Sequence, residues 1–220
     1  MAARAFALLR PMSLRGLPAV VALLTSLSIL PVATEAVSAA DDFSALYADI
    51  SLPWPTTDLI VVCHGVGCRY RTEIVLSGAD RVRITTLLAP GRASPTFERR
   101  AIATAVAWWD RRIGPVAGTT HRVEHAGIDE TGDPGQMDSI DISTNITSLF
   151  LVLDQLKLLR HHQVEPPASR FESGDGGTLQ TVAVLSENNG GRKWVVDNWT
   201  QNYGDMPDVE FLETWQSERN

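Results

Sequence analysis

The apolar residues of this chain change their spacing along its length, and each change marks an element. Leu59-Ile60-Val61-Val62 is a β-branched run, and Arg69 to Leu76 alternates between polar and apolar side chains. Both read as strands, and the short Gly-containing stretch between them reads as a hairpin loop. Further on the spacing becomes three or four, through Phe97, Ala101, Ala105 and Trp108 and through Ile102, Val106, Trp109 and Ile113. This predicts a helix opened by Ser94 as N-cap and Pro95 as first residue, and closed by Gly114-Pro115. Residues 115 to 137 lose periodicity and read as loop. A second stripe runs through Ile142, Ile146, Leu149, Phe150, Leu153, Leu156 and Leu159. It predicts a helix buried against a sheet, with Asp138 and Asp141 at its positive end and Lys157, Arg160, His161 and His162 at its negative end. Gln163 to Pro167 is expected to end that helix. Two strands, 178 to 186 and 192 to 198, then flank an Asn-Gly-Gly hairpin turn. Residues 41 to 57 read as an irregular lead-in, and the aromatic-rich tail reads as packed. Hairpin, helix, helix, hairpin is an α+β order, with a helix packed on an antiparallel sheet.

Composition adds a compartment. Arg4, Arg10 and Arg15 precede a largely apolar stretch from Leu17 to Leu30, and small residues follow at 37 to 40. Residues 1 to 40 are therefore expected to be a signal peptide, which makes the protein periplasmic or secreted. The apolar stretch is short for a transmembrane helix, so no stable membrane span is expected after cleavage. The net charge of −7 becomes −9 once those residues leave, with 16 basic against 25 acidic residues remaining. That balance argues against nucleic acid and against an anionic membrane surface as partners. Residues 41 to 220 are one domain's worth of chain.

Both cysteines fall in this exported part, at Cys63 and Cys68, facing each other across the first hairpin. An oxidising compartment and that geometry predict a disulfide. Adjacent strand residues point to opposite faces, so Cys63 and His64 do not form a thiol and its base. No cofactor is expected: covalent haem attachment needs Cys-x-x-Cys-His, and the order here differs.

Two segments carry the candidate chemistry: Gly135-Gln136-Met137-Asp138-Ser139-Ile140-Asp141, where the second helix opens, and Trp194-Val195-Val196-Asp197-Asn198-Trp199, where the last strand ends. With Cys63-His64, Cys68, Ser94-Pro95, Asn145, Leu158 to His162 and Trp215, they resemble an uncharacterised group of secreted bacterial proteins. That group is in turn similar to the bacterial transglutaminase-like cysteine proteinases. The resemblance implies a papain-like or transglutaminase-like core, in which a Cys opens the helix, a His opens one strand and an Asp ends the next. A thiol at a helix start is acidified by the free amides, a His takes its proton, and a carboxylate orients the imidazole. Here Ser139 stands at the Cys position, Leu179 or Gln180 at the His position, and Asp197 matches. Gln136 is a candidate oxyanion donor. Without an imidazole the serine has no base, so the site is expected to be degenerate and the protein non-catalytic, binding a protein or peptide or serving structurally. Ser139 also reads simply as a helix N-cap, and Asp197 as turn chemistry.

A serine-dependent hydrolase or acyltransferase using Ser139 is the alternative. A rival of another class is a zinc hydrolase, since His121-Arg122-Val123-Glu124-His125 fits the H-x-x-E-H pattern. That chemistry needs a helix, and the motif sits in the least periodic part of the chain. His64 is expected to be exposed at the hairpin tip.

Overall fold

A computed structural model describes residues 39 to 172 and 178 to 218. Most of the expected export segment, 1 to 40, lies outside these residues. The order is α1 (Ala39–Asp49), β1 (Leu59–His64), β2 (Tyr70–Val75), α2 (Gly78–Leu88), α3 (Pro95–Ala117), α4 (Ser139–Gln155), β3 (His162–Glu172), β4 (Thr178–Glu187), β5 (Lys193–Asp197), β6 (Asp208–Phe211) and α5 (Leu212–Ser217). β1 and β2 form an antiparallel hairpin, and β3-β4-β5-β6 form an antiparallel meander. The fold is thus α+β, with the helix from Ser139 packed on antiparallel strands and a Cys63–Cys68 disulfide at the first hairpin. No described helix is long and apolar enough to cross a membrane.

The main core joins α3, α4, the first hairpin and one face of the meander. Ile60, Val62, Ile74, Ile102, Trp109, Leu149, Phe150, Leu153, Ala183, Leu185 and Val196 all belong to it. On the other face of β4, Val182 and Val184 pack with Val195 and Trp215. Burial on both faces explains why β4 reads as a continuous apolar run rather than an alternating one. α4 is buried nearly all round, which is why Ser143, Thr144, Asn145, Thr147 and Ser148 occupy interior positions.

α3 differs from expectation at its end. It starts as predicted, with Ser94 Oγ accepting from the Phe97 amide, but it passes through Pro115 and ends on Gly118 in the left-handed conformation, φ 79°. Pro115 has no N–H for the Arg111 carbonyl four residues back. Tyr203 Oη supplies the missing donor at 3.2 Å. The Tyr203 ring occupies the space that a Cβ on Gly114 would need. A distant side chain has replaced the helix bond that local sequence cannot make.

α4 ends at Gln155, earlier than its apolar stripe implies. Lys157 takes φ 56°, and the Leu158 amide returns to the Leu153 carbonyl at 2.9 Å, closing the helix with a left-handed residue. His161 and His162 are therefore not helix-end cations. His162 opens β3, a strand that Pro166-Pro167 disguises as a break. The two prolines lie at a register shift between Glu165 and Ala168, on the outer strand of the sheet, where missing donors are tolerated. The expected irregular lead-in is helical at its start, as α1, and α2 adds a further helix capped by Ser77.

Candidate functional site

β5 pairs with β4 from Ala183↔Val196 to Ser186↔Lys193, so residues 179 to 181 of β4 extend beyond the end of this ladder. The start of α4 fills that place. Ser139 Oγ accepts from the Thr181 amide at 3.1 Å and donates to the Leu179 carbonyl at 3.4 Å. The hydroxyl acts as a one-atom continuation of the neighbouring strand. Ser139 is not the N-cap: Asp138 is, its carboxylate accepting from the Asp141 amide at 2.8 Å.

Gln180, between those two backbone contacts, holds the position that the resemblance gives to His. It is fully buried. Its Nε2 donates to Asp197 Oδ2 at 2.7 Å, and its Oε1 accepts from Arg170 Nε at 2.8 Å. The two ends of the amide are thereby distinguished: the oxygen faces a cation and the nitrogen faces a carboxylate. Asp197 Oδ1 accepts from the Trp199 amide at 2.9 Å. Burial raises the Asp197 pKa; the Trp199 amide opposes this and the Asp208 charge adds to it. Ser139, Gln180 and Asp197 are gathered at one end of β4, each barely exposed. Among the described residues, Ser139 Oγ has no hydrogen bond to Gln180 Nε2 or to Asp197.

Gln136 is committed elsewhere. Its Oε1 accepts from the Val123 amide at 3.0 Å and its Nε2 donates to the His121 carbonyl at 3.4 Å. Its own carbonyl accepts from the Gly65 amide at 2.7 Å. It ties the 121–123 loop and the hairpin tip to the start of α4, and its amide donor is directed at the loop.

The H-x-x-E-H segment is not helical. The His121 side chain is 61% exposed and stands 3.7 Å from Asp133. Glu124 accepts from Asn202 at 3.4 Å, and the His125 ring meets Trp199 edge-on at 4.8 Å. The ligand atoms of His121, Glu124 and His125 do not come together. Among the described residues, the one cluster of three potential metal ligands is Cys63, Cys68 and Asp141, and its two sulfurs are joined in the disulfide.

The remaining imidazoles are occupied too. His64, expected at an exposed tip, is buried, with Nδ1 2.6 Å from the Pro134 carbonyl and Nε2 2.9 Å from Thr72 Oγ1. His162 is buried against Glu98 at 2.7 Å, and the same carboxylate accepts from the Arg160 and His161 amides at 2.6 and 2.8 Å. Beyond them Arg99 contacts His162 Nε2 at 3.3 Å and Glu187 at 2.7 Å. Nothing in the spacing of Glu98 and His162, 64 residues apart, announces this pair.

The hairpin tip is the other feature the sequence conceals. Gly65, Val66, Gly67 and Cys68 all have positive φ, between 55° and 82°. In this tight turn successive backbone amides face the start of α4, an anion-binding concavity. Asp141 receives the Val66 and Cys68 amides at 2.9 and 2.5 Å, and Asp138 receives that of Gly67 at 2.9 Å. Asn145 completes the clasp, accepting from the Cys63 amide at 2.7 Å and donating to its carbonyl at 2.8 Å. Burial, then the Asp138 charge, pushes the Asp141 carboxyl up to about 7 against the pull of the loop amides. Compared with protein-family models, with curated proteins and with solved structures, the chain finds no match in any of the three.

Proposed function

We propose that this is an exported domain, periplasmic or secreted, built on a transglutaminase-like or papain-like core whose cysteine-hydrolase site has become a structural junction. In this reading it serves by binding a protein or peptide or as a structural module, not by acyl transfer. One observation carries the reading: the Gln180 amide bridges Arg170 and Asp197. An amide cannot accept and return a proton near neutral pH, and this one has both ends engaged. The serine supports it, because its hydroxyl spends its donor and an acceptor site on the β4 backbone. The core assignment is supported by the meeting of a helix start, a strand and the end of the next strand, with Ser139, Gln180 and Asp197 in the roles of Cys, His and Asp. Export is supported by the character of residues 1 to 40 and by the disulfide.

The test is covalent labelling. A fluorophosphonate probe, which reports an activated serine, is expected to leave Ser139 unmodified in the folded protein, and peptide and ester substrates are expected to turn over at the same rate with wild type and Ser139→Ala. Turnover or labelling that disappears in Ser139→Ala would overturn the reading in favour of a serine hydrolase.

A further inference from the structure

Away from the Ser139 junction, the outer face of the first half of α3 carries two adjoining troughs. One, of about 500 Å³, runs between α3 and the strands β5 and β6, with Arg99, Arg100, Trp194, Met206 and Val209 on its walls. The other, of about 270 Å³, lies between α3 and the end of α2, with Leu87, Pro90, Phe97 and Arg100 on its walls. Arg100 and Thr104 belong to both, so Arg100 stands on the ridge between two apolar hollows. Phe97 and Met206, one on each side, are 50% and 49% exposed.

The charged side chains that line the troughs are of one sign. Arg99 and Arg100 are the charged residues lining either trough, in a chain whose net charge is −7. Their states differ. Arg99 is fixed, its guanidinium 3.6 Å above the Trp194 ring, with Nη1 on Glu187 at 2.7 Å and Nη2 on Thr96 at 3.2 Å. Arg100 is exposed and makes no ion pair among the described residues; its guanidinium lies 5.9 Å from the Phe97 ring. A planar fork of donors without an acid, flanked by exposed apolar surface, is complementary to a carboxylate flanked by apolar groups. Both troughs are open to solvent, which suits a segment of another chain better than an enclosed small molecule.

We infer that this face docks a peptide segment in which an Asp or Glu is flanked on both sides by apolar side chains, the carboxylate meeting Arg100 and the apolar groups entering the two troughs. The Arg99–Trp194 stack is the rigid floor, and Arg100 is the residue that selects charge. The inference is independent of what the Ser139 junction does.

Selection of a random decapeptide library displayed on phage against the protein tests it. Enriched peptides are expected to share an acidic residue between apolar ones. Synthetic copies should lose at least tenfold in affinity when the acid is replaced by its amide, and again when the protein carries Arg100→Glu, with Arg100→Lys intermediate. Phe97→Ser, an exposed change that leaves the core intact, should weaken the same peptides. No enrichment, enrichment of basic or neutral peptides, or binding unaffected by Arg100→Glu overturns the inference. Saturable binding of decanoate in place of peptides, or concentration-dependent dimerisation abolished by Arg100→Glu, assigns the face to another occupant and equally overturns it.

Discussion

Replacing Glu98 by Gln removes the charge from a fully buried carboxylate whose two oxygens are both engaged. Glu98 is 0% exposed and receives three donors: the Arg160 amide on Oε1, and the His161 amide and His162 Nδ1 on Oε2. A glutamine keeps one oxygen, which can still serve Arg160. Its NH₂ then faces two donors. His162 can shift its proton to Nε2 and accept at Nδ1, but that proton would face the Arg99 guanidinium at 3.3 Å. Either way at least one buried donor is left without an acceptor, and the bonds that survive lose their charge assistance. With about 1.5–3 kcal/mol for each hydrogen bond to a charged group and about 1–3 kcal/mol for an orphaned donor, the expected loss is about 3–5 kcal/mol. That is a large share of the total stability of a domain, about 5–15 kcal/mol. The assay is urea unfolding, where the midpoint should fall with little change in slope. Burial alone would raise the Glu98 pKa, but the His162 bond and the two amides outweigh it and hold it below the ordinary value. The carboxylate's contribution is therefore present above the unfolded pKa of about 4.3 and is lost as pH falls through the lower folded value. Glu98→Gln should flatten that acid limb. A destabilisation below about 1 kcal/mol, or an unchanged acid limb, would refute the account.

Placing a thiol and an imidazole at the two positions tests the proposed core: Ser139→Cys with Gln180→His should yield a thiol that reacts with iodoacetamide faster at pH 7 than Ser139→Cys alone, about tenfold or more if a thiolate–imidazolium pair forms. Equal rates would mean that the end of β4 does not hold an imidazole within reach of the Ser139 position. For Asp141, beside the Asp138 charge, a folded pKa of about 7 lies above the unfolded value, so the favourable contribution is complete below about pH 4 and is lost progressively as pH rises from there to about 7. The free energy of unfolding should drop by an amount on the order of 2 kcal/mol between pH 5 and 8, and Asp141→Asn should make this slope shallower. An equally steep slope in the variant would place the titration elsewhere. Tyr203→Phe leaves the Arg111 carbonyl without the donor it receives through Tyr203 Oη, at an expected cost of about 1 kcal/mol by thermal or urea unfolding. A neutral result would mean that water serves the carbonyl as well.

What the sequence disclosed follows the range of its signals. The caps, stripes and hairpin turns around residues 59 to 76, 94 to 113, 142 to 153 and 178 to 198 are local, and the structure places elements there. The ends of α3 and α4 differ from the pattern for separate reasons: Tyr203, distant in sequence, lets α3 pass Pro115, and a left-handed Lys157 stops a helix whose apolar stripe continues. β3 was concealed by prolines that an outer strand tolerates. At the site, Ser139, Gln180 and Asp197 are named by the resemblance alone, and nothing in the sequence announces the bonds they make. That Ser139 hydrogen-bonds the β4 backbone depends on β5 ending early, and that Gln180 is buried between opposite charges depends on Arg170 across the β3–β4 ladder. His162 and Glu98 meet through tertiary packing alone, so a histidine that looked like a surface cation is one of the least accessible groups in the chain.

The Pro166-Pro167 interruption of β3 also governs what the outside of the meander can do. A sheet's outermost strands expose rows of amides and carbonyls that a second copy can extend. In this sheet one border carries two consecutive residues with no N–H to offer, together with a register shift, while the other border, β6, is four residues long and turns at once into α5. Neither side presents a long template for intermolecular strand addition. The same dipeptide that hides β3 from a reader of the sequence hides its border from other copies of the protein, so the four-stranded sheet has a built-in limit on its width.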